Sequence, residues 1–182
     1  MTASQSKRHL LLASLAGLGA LAAGVMTAGR KSAGKTPPAE LSTLWTLTLE
    51  TPAGEALALS KLKGKPLLIN FWATWCAPCI EEIPLLDQFQ KKNHTAGNSL
   101  QLLGIAADKP ESVVKFLNKM PVQFPVVISG FDGIALSKSL GNESGGLPYS
   151  ILISKNGSIL FKKEGQLTTN DLKTINGLLG TA

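Results

Sequence analysis

The sequence holds only two cysteines among 182 residues, and they stand three positions apart as Cys76 and Cys79. With no further cysteine to form a staple, a disulfide framework is excluded. A bridge between these two would close so small a loop that it removes little entropy from the unfolded chain. Such a pair points to redox chemistry rather than architecture. Histidine is also scarce, and only His94 lies beyond the N-terminal segment. Cys-x-x-Cys is half of a zinc site, but a closed tetrahedral site needs two more ligands, so no metal is expected. Arginine is missing after Arg30. The body of the chain therefore lacks the planar fork that grips phosphate or a guanine edge, which argues against nucleic acid as a partner.

The net charge of +6 is unevenly placed. Lys7, Arg8, Arg30, Lys31 and Lys35 supply five of the 18 basic residues with no acid among them, leaving 13 lysines against 12 acids from residue 36 onward. Residues 10–28 are uncharged and rich in Leu, Ala and Gly, between a basic head at Lys7 and Arg8 and the pair Arg30-Lys31. This is the pattern of an export signal, and its length of about 19 residues also approaches what a bilayer span needs. Ala20-Leu21-Ala22 offers a small-x-small cleavage site. Residues 1–29 are thus expected to be a signal peptide or a retained N-terminal membrane anchor, and positive charge on both flanks leaves the topology open. Residues 30–43, containing Pro37-Pro38, are expected to be a linker, and residues 44–182 one domain.

Hydrophobic spacing gives the elements. Residues 45–50 alternate apolar and polar, 52–54 turn, and 56–59 return, which predicts an N-terminal β-hairpin. Residues 67–72 form a continuous apolar run, as in a strand buried on both faces. Residues 77–92 read as a helix, with Ile80, Ile83, Leu86 and Phe89 along one side and Pro84 inside to bend it. Further strands are expected at 100–107, 124–129, 149–154 and 158–163, and further helices at 111–120, 133–140 and 171–179. Asn156-Gly157 marks a tight hairpin between the last two strands. Strands alternating with helices and ending in a hairpin imply an α/β fold with a mixed central β-sheet flanked by helices.

The cysteines fall where the buried strand at 67–72 hands over to the helix from residue 77. That places Cys76 at the helix N-terminus, where unpaired backbone N–H groups and the macrodipole favour the reactive thiolate. Cys79, one turn further in, is expected to be more buried and to attack second. Pro78 is tolerated in the first turn, because its missing N–H would have been unpaired there. Pro148 directly precedes a predicted strand, which by itself marks only a strand start or turn.

The run from Asn70 through Trp75-Cys76-Ala77-Pro78-Cys79 to Pro84 closely resembles the active-site segment of the TlpA/ResA-like branch of the thioredoxin superfamily. A looser similarity covers residues 44–179, including the hairpin, a helix-strand insert at 111–129, Phe124-Pro125-Val126-Val127 and Gly146-Leu147-Pro148. The resemblance implies a thioredoxin-like fold with Cys76 and Cys79 catalytic. It implies a cis-proline loop at Leu147-Pro148, lying against the cysteines. Trp75, Ala77, Pro78, Leu147 and Pro148 would then form the surface on which a substrate's backbone pairs in strand fashion. It implies a monomeric thiol–disulfide oxidoreductase of the periplasm or the outer face of the cytoplasmic membrane, with no cofactor beyond its own disulfide. Such an enzyme would reduce a client protein's disulfide, for example in cytochrome c maturation, drawing electrons from a membrane donor of the DsbD/CcdA type. Glu111 resembles the acid that some members place near the cysteines to tune their pKa, and serves equally as a first-turn acid favoured by the helix dipole. Two departures stand out. Asn70 replaces the buried Asp of ordinary thioredoxins, and Tyr149-Ser150 replaces the Thr-Thr that often follows the cis-proline. A peroxiredoxin would need a threonine where Ala73 stands, and a distant arginine. A copper module of the Sco type would use Cys-x3-Cys and a histidine after His94.

Overall fold

The computed structural model describes residues 39–95 and 99–179, and the expected leader at 1–29 and the linker up to residue 38 lie outside them. In chain order the described elements are α1 (Ala39–Leu44), β1 (Thr48–Glu50), β2 (Ala56–Ala58), a 3-10 turn (Leu59–Leu62), β3 (Leu67–Trp72), α2 (Ala77–Thr95), β4 (Gln101–Ala106), α3 (Pro110–Lys119), β5 (Val126–Ile128), α4 (Asp132–Ser139), β6 (Tyr149–Ile153), β7 (Ile159–Glu164) and α5 (Thr169–Leu179).

All six residues of β3 are buried, so its apolar run is explained by helices on both faces and strands on both edges. It pairs in parallel with β4 and antiparallel with β6, at the centre of a seven-stranded sheet ordered β2-β1-β5-β4-β3-β6-β7. The period-two alternation of a strand divides its side chains cleanly. Leu68 and Trp72 face a core built with α2, α3 and α5, whereas Leu67, Ile69 and Phe71 face a second core that includes Leu41 and Leu44 of α1. Burying each such side chain contributes about 1.5–3 kcal/mol, which makes β3 the fixed rail from which the following loop departs. The mixed sheet, the N-terminal hairpin of β1 and β2, and the α3–β5 insert all match expectation.

One boundary differs. The linker expected over 30–43 overlaps α1, whose Leu41 and Leu44 are fully buried, so the packed domain begins by Leu41 rather than at residue 44. Leu41, Leu44 and Trp45 sit three and four apart on one side of a single turn, a period too brief to register over a window of 11–18 residues. Pro84 lies inside α2, which runs on through it to Thr95. At the β6–β7 hairpin Ser154 N–H donates to Ser158 O at 2.8 Å, and Gly157 takes a positive φ of 80°.

Candidate active site

β3 ends at Trp72, and four positions later Cys76 immediately precedes α2. Ile80 N–H donates to the Cys76 carbonyl at 3.1 Å, which makes Cys76 the residue that caps the helix. The cap is completed by sulfur: Cys79 N–H donates to Cys76 Sγ at 3.3 Å. The two cysteines are joined, with S–S 2.05 Å and Cα atoms 5.3 Å apart. Cys76 keeps 6% of its surface exposed and Cys79 none, so an incoming group reaches Cys76 first. Ala77 and Pro78 are exposed beside it, and Trp75 is 57% exposed.

The loop that carries the pair is pinned from the neighbouring strand. Asp108, buried just beyond β4, accepts hydrogen bonds from Thr74 N–H at 2.9 Å and Thr74 Oγ1 at 2.5 Å through one oxygen. Its other oxygen accepts from Lys109 N–H at 2.7 Å. On the opposite side the Leu147-Pro148 bond is cis, and Tyr149 pairs with Phe71 at the end of β3. Leu147 packs against the core cluster that contains both cysteines. This loop is braced from within: Asn142 Nδ2 donates to Gly146 O at 2.9 Å, and Tyr149 Oη donates to Leu140 O at 2.8 Å. The Tyr149-Ser150 departure thus has a structural account, with Tyr149 holding the proline loop and Ser150 Oγ accepting from Asn70 Nδ2 at 3.0 Å.

Glu82 is the residue that sequence reasoning missed. It lies one turn beyond Cys79 on α2, fully buried, with one oxygen accepting from Asn70 Nδ2 at 2.8 Å and the other from Leu167 N–H at 2.6 Å. Burial pushes its carboxyl up from 4.5 to about 7, although both hydrogen bonds pull the other way. Asn70 therefore marks no loss of a buried carboxyl, because Glu82 supplies one from the facing helix. The signal was present in the spacing: Glu82 continues the inward side of α2 between Cys79 and Leu86. Glu111 stands in the first turn of α3 and makes no side-chain hydrogen bond or ion pair among the described residues. The carboxylate tied to the active-site loop is that of Asp108, and the one buried on the cysteine helix is that of Glu82.

The Redoxin family profile matches residues 33–179. The thiol-disulfide oxidoreductase ResA of Bacillus cereus is 35% identical over 121 residues, covering 66% of this chain and 66% of the relative's length. ResA of Geobacillus kaustophilus is 31% identical over 140 residues, covering 76% of this chain and 77% of that one. Among solved structures, the chain is similar to a thiol:disulfide interchange protein of the thioredoxin family from Chlorobium tepidum, at a TM-score of 0.61 and 27% identity, covering 75% of this chain and 92% of that one. The extent of the profile match and the identity to both relatives place the cysteine pair in a known lineage: the chain belongs to the Redoxin family and, within it, to the ResA-type thiol–disulfide oxidoreductases.

Proposed function

We propose that the protein reduces disulfides of client proteins outside the cytoplasm, held there by an uncleaved leader and recharged by a membrane thiol donor of the DsbD/CcdA type. The observation that carries this reading is the unequal pair at the start of α2, with Cys76 reachable, Cys79 sealed, and a backbone N–H already directed at the Cys76 sulfur.

In the reduced enzyme the Cys79 N–H and the helix dipole stabilise the Cys76 thiolate. That thiolate attacks one sulfur of the client disulfide, forming a mixed disulfide and releasing the other client sulfur as a thiolate. Cys79 then gives up its proton, and the fully buried carboxyl of Glu82, three residues further along α2, is the group we assign to receive it. The Cys79 thiolate then attacks Cys76 Sγ, closing the bond at 2.05 Å and releasing the second client sulfur. The two client thiolates take up one proton passed on from Glu82 and one from solvent, where Cys76 had released its own, so the client gains two electrons and two protons and the enzyme ends oxidised. During the mixed-disulfide step the exposed Trp75 and the Leu147-Pro148 edge offer apolar and backbone contacts to the client chain.

Cytochrome c maturation fits this scheme as a process that needs a protein disulfide reduced outside the cytoplasm, and the basic-flanked leader supports export. The direction is tested by the reduction potential of the Cys76–Cys79 couple. A value near the thioredoxin end, about −270 mV, is expected, and one near −120 mV would make the protein an oxidant.

A further inference from the structure

The end of the domain opposite Cys76 carries a cluster of exposed lysines. β3 runs toward Cys76 and pairs antiparallel with β6, Leu67 opposite Ile153 and Phe71 opposite Tyr149. The loop before β3 and the turn after β6 therefore share the end opposite the cysteines, roughly 17 Å or more away along the strand. They meet in a hollow of about 190 Å3 lined by Lys63, Lys65 and Lys155, with the buried ring of Trp45 in its wall. Lys63 Nζ stands 5.6 Å from the Trp45 ring centroid. All three lysines are exposed, and none has a carboxylate partner among the described residues. At the other end acids stand among lysines such as Lys109. Glu50 closes β1 opposite Ile128, Glu164 closes β7 opposite Tyr149, Asp108 holds the cysteine loop, and Glu111 and Asp132 open the helices that follow β4 and β5.

The chain also reaches the domain at the basic end, since α1 leads directly into Trp45. Between the apolar run that ends at Ala28 and the start of α1 at Ala39 the backbone can extend at most about 40 Å. A leader fixed in a bilayer keeps this domain close to the headgroups, where clustered lysines are drawn to an anionic surface and acids are repelled.

We propose that Lys63, Lys65 and Lys155 around Trp45 form a docking surface for the anionic phosphate headgroups of the bilayer that anchors the leader, and that docking turns Cys76 away from the membrane. This rests on the leader being retained, a point checked separately by flotation of the full chain with neutral phosphatidylcholine vesicles. Failure to float would remove the anchor itself.

The docking test is lysine acetylation of the full-length protein in vesicles, read residue by residue by mass spectrometry. With about 30% phosphatidylglycerol in the vesicles, modification of the three lysines falls roughly tenfold or more relative to phosphatidylcholine alone, while Lys109 at the catalytic end reacts equally in both. Salt at about 1 M, where the screening length is about 3 Å, restores their reactivity. Equal modification in both vesicle types would overturn the proposal. So would equal protection by inorganic phosphate alone in neutral vesicles, which would make the hollow a site for a soluble anion. The variant Lys63→Glu, Lys65→Glu, Lys155→Glu is expected to keep the same rate of Cys76–Cys79 reduction by dithiothreitol, while Lys61, in the neighbouring turn, reacts equally in both vesicle types. If that variant does not fold, the wild-type comparison between vesicle types decides alone.

Discussion

At the scale of residues, the site divides its work among three side chains of one helix. Cys76 caps α2 and receives the Cys79 N–H, Cys79 is sealed beneath it, and Glu82 supplies a buried carboxyl one turn on. The raised Glu82 pKa has a consequence for stability as well as for proton transfer. In the unfolded chain the carboxyl titrates at its ordinary 4.5, whereas in the fold it does so at about 7. Between these values the folded state holds a proton that the unfolded state has lost, so stability falls as pH rises through the window. The loss amounts to on the order of 3 kcal/mol, complete above about pH 7. Glu82→Gln, neutral throughout, should abolish that slope when the oxidised protein is unfolded in urea at a series of pH values. An unchanged slope in the variant would show that Glu82 does not titrate as assigned.

At the scale of elements, the strand-to-helix junction does the positioning, and it is also the part most readable in the sequence. A six-residue run apolar at every position but Asn70, followed within four positions by Cys76, left little choice of arrangement, and β3 and the start of α2 fall where the pattern put them. The proline loop was less readable, because a proline before a strand carries no isomer in its spacing. The family resemblance was needed to expect the cis bond at Leu147-Pro148. Glu82 escaped notice for a different reason: a charged residue reads as solvent-facing until a partner such as Asn70, twelve positions earlier on β3, is known to meet it. The first helix was hidden by its brevity and by the prolines before it. Its role is open to measurement, since Leu44 is fully buried in the core on its side of the sheet. Leu44→Ala should cost about 2–5 kcal/mol in denaturant unfolding. A loss below about 0.5 kcal/mol, the range of surface changes, would return α1 to the linker.

At the scale of the whole molecule, the two cores fix a rigid sheet whose C-terminal strand ends present a reactive sulfur and whose opposite end presents lysines. Rigidity matters because thiol–disulfide exchange needs the attacking sulfur, the bridged pair and the client's strand to align while a covalent intermediate exists. The exchange depends on the order of attack, with Cys76 joining the client and Cys79 releasing it. The most direct test is trapping: each single-cysteine variant is exposed to oxidised client proteins, and disulfide-linked adducts are separated without reductant. Cys79→Ala should accumulate mixed disulfides through Cys76, and Cys76→Ala should accumulate none. Adducts formed through Cys79 in the Cys76→Ala variant, and absent from Cys79→Ala, would reverse the roles assigned to the two sulfurs.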